Sequence, residues 1–160
     1  MANRAPVRYK INLQIDPAFR GKVDRALLRA AARAALTHQA APSPSELSLL
    51  ITDDATLQAL NRQFLGHDHP TDVISFTSTE IDPATNRRYL GDIAISYPAA
   101  RRQSQQAAHP IRAELQLLIV HGTLHLLGHD HARPAEKKKM WAAQAEILAS
   151  LKAGITLPVS

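Results

Sequence analysis

The sequence predicts an α+β fold, with four strands and about five helices in a single domain over residues 1–160. Its length of 160 residues, of which 45% are hydrophobic and 21% charged, fits one soluble domain with a core of its own. Apolar residues alternate with polar ones in some segments and recur at helical spacing in others, so both kinds of element are expected. No internal repeat, low-complexity tract or linker divides the sequence.

Strand and helix patterns alternate in the first part of the chain. Apolar and polar residues alternate over 7–15, which predicts a half-buried strand that ends at Pro17. Apolar residues at helical spacing then predict a helix over about 22–39. After the loop 41–45, which is rich in Pro and Ser, a short strand is expected over 46–51.

The middle of the chain combines one helix with two strands. Thr and Asp residues offer N-caps for a helix over about 54–64, and a turn is expected over 67–72. Strands are predicted over 73–77 and 90–96, with the polar segment 80–88 between them as a loop or hairpin.

Three helices are expected in the last third of the chain. Pro98 begins a helix that is rich in Arg and Gln and runs to about Ala108. The strongest helical pattern covers 111–127 and ends at Gly128, and a last helix is expected from about 134 to 152.

Positive charge is concentrated at the start of the chain. The formal net charge is +5, and residues 1–33 hold eight basic and two acidic residues, so the remainder is close to neutral. Arg25, Arg29 and Arg33 follow at four-residue intervals and form one basic stripe on the predicted helix. Such a localised basic face is typical of a nucleic-acid contact, which makes these residues RNA-binding candidates; a solvated helix face is the alternative.

Nothing in the sequence indicates export or membrane insertion. The first ten residues, MANRAPVRYK, lead into no apolar segment of a secretory signal. No apolar stretch approaches the ~20 residues that a membrane span needs. A cytoplasmic location without membrane contact is therefore expected.

Histidine and cysteine usage limits the kind of site. The chain has 8 His and no Cys, and four of the His (positions 121, 125, 129 and 131) fall within eleven residues. The lack of Cys excludes a disulfide scaffold, a thiolate zinc site, an iron–sulfur cluster and a cysteine nucleophile. A transition metal would have to be bound by histidine and carboxylate.

The spacing of three histidines predicts a metal site. His121 and His125 lie four residues apart, so their rings leave the same face of a helix. Gly128 allows the helix to stop and the chain to turn back, and His131 follows as a third ligand. Three imidazoles without a fourth protein ligand form an open site, typical of catalytic metal centres. We expect one Zn²⁺ per chain, with Ni²⁺ or another divalent metal as the alternative.

The position after the first histidine bears on the reaction. The same spacing occurs in metzincin proteases, which carry a Glu there as general base. Here the residue is Gly122, which cannot take a proton from water. Peptide or amide hydrolysis is therefore the less favoured alternative, and the basic stripe favours a phosphodiester substrate, for which metal and positive charge do most of the electrostatic work. A non-catalytic RNA-binding factor with a structural metal is another alternative, and the residues alone do not name a general base.

Four more residues are candidates for supporting the metal ligands. Asp92 stands between apolar neighbours and could orient a ligand imidazole or cap nearby backbone. Glu114, two helical turns before the first ligand, could line the site, act as a base or form a salt bridge. Asp130 could fix the turn before His131. The side chain of His129 is expected to project in a different direction from that of His131.

Three segments, HPTDVISF (69–76), LGDIAIS (90–96) and VHGTLHLLGHDH (120–131), together resemble the YbeY family of rRNA maturation endoribonucleases. The family pattern HGxLHLxGxDH is matched by VHGTLHLLGHDH (120–131). The family's PTDVLSF segment is similar to HPTDVISF (69–76), and its GDI-x-IS strand is similar to LGDIAIS (90–96). The motifs occur in the family's order, and the resemblance spans about 57–131.

The resemblance implies a fold, an activity and a ligand set. The fold would be α+β, with a mixed sheet of about four strands and a metal at the end of a cleft. The activity would be metal-dependent cleavage of single-stranded RNA, in the 3′-end maturation of small-subunit ribosomal RNA and in ribosome quality control. The partner would be the ribosome or its small subunit, and zinc would be held by His121, His125 and His131.

One position departs from the family pattern. The family usually has an Arg in the segment LNxxFRGxDxPTDV, and Leu65 occupies that place here. Arg62, nearly one helical turn earlier, could reach over and is a further RNA-binding candidate. If the family's Arg holds phosphate, this chain is expected to bind or cleave RNA more weakly, or to use another cation.

Overall fold

A four-stranded sheet organises residues 6–154, which are the residues that the computed structural model describes. Its strands are β1 (Tyr9–Ile15), β2 (Ser45–Thr52), β3 (Val73–Thr77) and β4 (Arg88–Ser96). They lie in the order β1-β2-β4-β3, with β1, β2 and β4 parallel and β3 an antiparallel edge strand beside β4. The predicted α+β class and the mixed sheet of four strands are confirmed.

Five α-helices accompany the sheet within residues 6–154, as the sequence predicts. They are α1 (Arg25–His38), α2 (Asp54–Leu60), α3 (Tyr97–Ala107), α4 (Ile111–Leu126) and α5 (Pro134–Ser150). Three of them begin at a side-chain cap: Asp24 accepts from the backbone N–H of Leu27, Asp53 from that of Thr56, and Ser96 from that of Ala99. No helix in this part of the chain is long and apolar enough to span a membrane.

The main core lies between one face of the sheet and the helices α1, α4 and α5. Leu47 and Ile93 of the sheet are fully buried there, together with Ile119 of α4. Successive strand residues point to opposite faces, so Ala94 joins a smaller apolar cluster with Leu57 of α2 on the other face. Beyond α2 that second face is open.

The helix predicted over 54–64 changes its form part-way. It is α-helical to Leu60 and continues as a π-helical turn, Asn61–Leu65, which ends at Gly66 with φ +71°. A π-helical turn widens the helix, and such turns are frequent at functional sites. Here it leaves Phe64 and Leu65 58% and 49% exposed.

Other boundaries differ by two or three residues from the prediction. A short 3-10 helix, Pro17–Lys22, follows β1, and α1 begins only at Arg25 because Asp24 caps it. Strand β4 begins at Arg88 rather than at residue 90, since its first residues pair with the start of β2.

Candidate metal centre

Three imidazoles converge beside β3. His121 and His125 come from the last two turns of α4, and His131 comes from the segment after it. One ring nitrogen of each lies within 4.8 Å of the others, and the Nε2 atoms of His121 and His125 are 3.1 Å apart. Two nitrogens bound at ~2.1 Å to one tetrahedral ion would be about 3.4 Å apart. We call these residues the histidine triad; they could hold a metal ion.

The turn after α4 brings the third histidine to the first two. Gly128 has φ +94°; its N–H donates to the carbonyl of His125, and the next N–H donates to that of Leu124. Asp130 then accepts from the backbone N–H of His131 at 2.7 Å and of Ala132 at 3.2 Å. Asp130 thus bonds the backbone of the turn before His131, where the sequence predicts it to act.

Gly122 faces the sheet and not the triad. A Cβ at this position would lie 2.8 Å from Cγ2 of Ile93 and 3.2 Å from Oγ of Ser75. Helix α4 therefore lies directly on the sheet at the position after the first histidine. A glutamate could not be accommodated there, so this site has no room for a general base of the metzincin type.

The triad lies in a cleft of about 500 Å³. Its lining consists of the π-helical turn, β3 with its preceding segment, and the triad: Asn61, Leu65, His69, Thr71, Asp72, Val73, Ile74, Ser75, Thr77, His121, His125 and His131. Among these residues none is Lys or Arg, and Asp72 is the only carboxylate. Asp72 accepts a hydrogen bond from Nε2 of Gln103 at 3.0 Å.

Two residues of α5 contact the triad, and sequence reasoning did not find them as part of the site. Buried Gln144 places Oε1 3.1 Å from Nδ1 of His121. The Trp141 ring lies parallel to that of His131, with an interplanar angle of 8° and centroids 6.3 Å apart. They are three residues apart and thus share one helix face. The sequence gives no sign that Trp141 and Gln144 belong to the site, because only the tertiary structure brings α5 beside α4.

The environment of the triad keeps two of its rings neutral. Burial, and next the proximity of His125, lowers the pKa of His121 to about 4. Burial and the nearby His131 also lower the pKa of His125. Metals bind neutral imidazole, so these rings are in the metal-binding form at neutral pH. The open arrangement of neutral nitrogens fits zinc.

Asp92 and Glu114 lie away from the triad, which corrects their proposed support of the ligands. Asp92 follows strand alternation and projects from the face opposite to Ile93, where it accepts from the hydroxyl of Tyr89. Glu114 is buried and lies 2.6 Å from Nε2 of His109. It shares a helix with the triad but stands two turns, about 10 Å, before it.

His129 projects away from the triad, as expected from its position. Its Nε2 lies 2.6 Å from Oε1 of Gln39 at the end of α1, and Gln39 in turn contacts His38. The ring therefore ties the turn after α4 to α1, while His131, two residues later, faces the cleft.

The basic stripe lies at the far edge of the sheet from the triad. Arg29 and Arg33 donate from Nε to the carbonyls of Ile11 and Tyr9 on β1, and Arg25 is exposed. Strands β1 and β3 are three inter-strand spacings apart, or about 14 Å.

The π-helical turn contributes no cation to the cleft. Leu65 lines the cleft, whereas Arg62 is exposed and does not line it. The expected reach of Arg62 into the site is therefore absent from this arrangement.

Comparison with known proteins gives a consistent result. The family model described as Endoribonuclease YbeY matches residues 12–152. A protein of that name from Roseiflexus sp. (strain RS-1) is 44% identical over 147 residues, covering 88% of this chain and 92% of the relative. Another, from Chloroflexus aggregans, is 46% identical over 149 residues, covering 89% of this chain and 96% of the relative.

A solved structure supports the fold independently. The solution structure of a Thermotoga maritima protein matches with a TM-score of 0.60 and 21% identity, covering 95% of this chain and 99% of that one. At that identity the likeness concerns the fold alone. Because the family model matches most of the sequence and the relatives match over nearly their whole length, this chain belongs to the YbeY family of endoribonucleases.

Proposed function

We propose that the chain acts as one domain and is a zinc-dependent endoribonuclease for single-stranded RNA. Its role would be the 3′-end maturation of small-subunit ribosomal RNA, ribosome biogenesis and ribosome quality control, on the ribosome or its small subunit in the cytoplasm. The observation that carries the proposal is the convergence of three imidazoles in an open cleft, in a chain of this family. Nickel or another divalent ion would suit the same nitrogens.

The residues of the cleft have separable roles in this proposal. His121, His125 and His131 hold the ion, which when bound supplies Lewis acidity and an acidified water. Gln144 orients His121, and Trp141 packs against His131. Asp72, the only carboxylate among the residues that line the cleft, would accept a proton from water.

Positive charge for the RNA backbone comes from outside the cleft. No Lys or Arg is among the residues that line it, so phosphate contacts must come from exposed cations. Exposed Arg25 and Arg33 supply them along α1 together with the partly buried Arg29, and exposed Arg62 supplies one on the π-helical turn. This distribution favours an RNA that extends beyond the cleft rather than a substrate held wholly within it.

The decisive experiment compares two neighbouring histidines. Purified zinc-loaded protein is incubated with a single-stranded RNA oligonucleotide, and products are resolved on a denaturing gel. His131→Ala should abolish cleavage, and His129→Ala, whose ring contacts Gln39, should retain it. Chelation should stop cleavage and added zinc restore it. Cleavage by His131→Ala at the wild-type rate, or in excess chelator, would refute the proposal.

A non-catalytic RNA-binding factor is the second candidate. The observation that favours it is the apolar Leu65 in a cleft that no Lys or Arg lines. In that case wild-type protein and His131→Ala would bind the oligonucleotide equally and neither would cut it. A peptide hydrolase is disfavoured, because Gly122 packs on the sheet where that chemistry needs a glutamate.

A further inference from the structure

A second cavity lies on the open face of the sheet, behind the wall of the triad's cleft. Side chains alternate along β3, so Ser75 and Thr77 line the cleft while Phe76 lines the second cavity. The π-helical turn divides in the same way, with Leu65 on the cleft and Phe64 on the cavity. We call this space, of about 460 Å³, the sheet-face cavity. Because β3 is an edge strand, one extended molecule crossing its outer edge would contact both.

The walls of the sheet-face cavity are aromatic and aliphatic. The rings of Phe64 and Phe76 meet edge to face with centroids 5.3 Å apart. Leu50 and Leu60 line the cavity beside them. Phe64 is 58% exposed, which is unusual for a phenyl ring in contact with an apolar cluster. Together these residues offer an apolar surface on which a flat ring can stack.

Hydrogen-bonding groups form one row across the sheet in the same cavity, on β1, β2 and β4, and the last of them, Asp92, pairs with Phe76 of β3. Asn12, Ser48 and Asp92 line it there. Asp92 is exposed, and its Oδ1 accepts from the hydroxyl of Tyr89 at 2.5 Å. Within the described residues its Oδ2 receives no hydrogen bond from another side chain, so one carboxylate oxygen is available to a ligand. The arrangement is a mostly apolar pocket with a few polar groups, as ligand sites have.

We propose that the sheet-face cavity binds one unstacked guanine base of the RNA whose backbone crosses β3 into the triad's cleft. The base would stack on Phe64 and Phe76; of its N1–H and N2 amino group, one would donate to Oδ2 of Asp92 and the other to the remaining lone pair of Oδ1. The proposal rests on the proposed function, because it takes single-stranded RNA as the ligand. It adds base selection at a site on the other side of β3 from the metal ligands.

The chemistry of the pocket favours guanine over other occupants. A carboxylate is an acceptor only, and guanine presents two adjacent donors on one edge. Adenine and cytosine place an acceptor nitrogen beside their amino group, and uracil flanks its one donor with two carbonyls. An apolar peptide side chain would cover the phenyl rings but would leave Oδ2 of Asp92 without a donor. Continuity with the cleft across β3 also favours the RNA itself.

Binding of matched oligonucleotides tests the proposal. Fluorescence anisotropy is measured with zinc-loaded protein and labelled 2′-O-methyl pentamers, with their integrity checked on a gel. One pentamer carries a single guanine and its partner carries inosine there, which lacks the N2 amino group. Wild-type protein should prefer guanine by about 10-fold. Phe64→Ala should weaken binding of both by about 10-fold, through lost stacking.

The variant Asp92→Asn isolates base selection from general affinity. Removing a negative charge raises RNA affinity everywhere, so the informative quantity is the guanine-to-inosine ratio, which should fall to about one. Glu80→Gln removes an exposed carboxylate outside the cavity and should leave the ratio at its wild-type value. Thermal melting of each variant confirms that it is folded.

Failure of this proposal is distinguishable from failure of the proposed function. RNA that is cut and bound without base preference, with Phe64→Ala binding as wild type, overturns the sheet-face site and leaves cleavage intact. Protein that neither binds nor cuts any RNA overturns both proposals.

Discussion

The side-chain oxygen of Gln144 lies 3.1 Å from Nδ1 of His121, on the opposite side of the imidazole from His125. The amide oxygen can only accept, so Nδ1 carries the proton and Nε2 presents its lone pair to the cleft. Gln144 is 5% exposed, which keeps water from replacing it. This contact links α5 to the ligand geometry of α4.

Replacing Gln144 by Met should weaken metal binding without unfolding the protein. Methionine fills a similar volume but cannot accept the ring proton with comparable strength, so His121 loses its fixed tautomer and orientation. Loss of such a partner typically costs 10–100-fold in metal affinity. Competition with a chromophoric zinc chelator measures it. Gln106→Met, at an exposed site on α3, is the control and should bind zinc as wild type does; equal affinities for all three proteins would contradict the role of Gln144.

Three glycines should respond to alanine in a graded order. At Gly91, where φ is +138°, a Cβ would lie 2.0 Å from the carbonyl oxygen of Phe76, so Gly91→Ala should cost at least about 3 kcal/mol of unfolding free energy. At Gly122 the clash is with side chains, and about 1–3 kcal/mol is expected. Gly21 has no atom within 4 Å of the added Cβ and should change by no more than about 0.5 kcal/mol.

Urea unfolding of the three variants measures this order. The Gly122 variant should also lose zinc affinity, because α4 must move off the sheet to admit the methyl group and carries two triad residues with it. A Gly122→Ala protein as stable as Gly21→Ala would mean that α4 and the sheet are not in the close contact described.

What the sequence could predict depends on how local each feature is. The strands and the triad follow from short-range patterns: alternation over five to nine residues, two histidines four apart and a glycine turn. The partners of the triad depend on tertiary packing, since Gln144 stands 23 residues after His121 in the sequence. The position of Asp92 could not be predicted, because alternation indicates that it faces away from Ile93, but not which face of the sheet α4 covers. The π-helical turn was missed because one extra residue in a turn leaves little trace in hydrophobic periodicity.

The metal-free protein should lose stability between pH 6.5 and pH 4 through His121. In the unfolded chain this ring takes up a proton near pH 6.5, but in the fold its pKa is lowered to about 4 by burial. Between these values the unfolded state binds more protons, so the free energy of unfolding falls as the pH falls. The difference corresponds to at most about 3 kcal/mol, and partial solvent exposure reduces it.

Chemical unfolding in the presence of a chelator, at pH 7 and pH 4.5, measures this loss. His121→Gln should flatten the pH dependence relative to wild type, whereas His67→Gln, at an exposed site, should leave it as it is. Identical slopes for wild type and His121→Gln would contradict the burial of this ring.

Adding an arginine at position 65 should strengthen RNA binding from within the cleft. Leu65 lines the cleft beside the triad and is 49% exposed, so a guanidinium there can reach a phosphate without disturbing the core. One new phosphate contact to single-stranded RNA should raise affinity several-fold and steepen the dependence of log Kd on log salt by about 0.7. Ile81→Arg places the same charge at another exposed apolar position that lines no part of the cleft. Anisotropy titrations at two salt concentrations compare the two variants. The Leu65→Arg variant should show the larger gain in RNA affinity and an increased cleavage rate. If both variants gain RNA affinity equally, the cleft does not contact the RNA backbone, and the gain reflects only the added net charge.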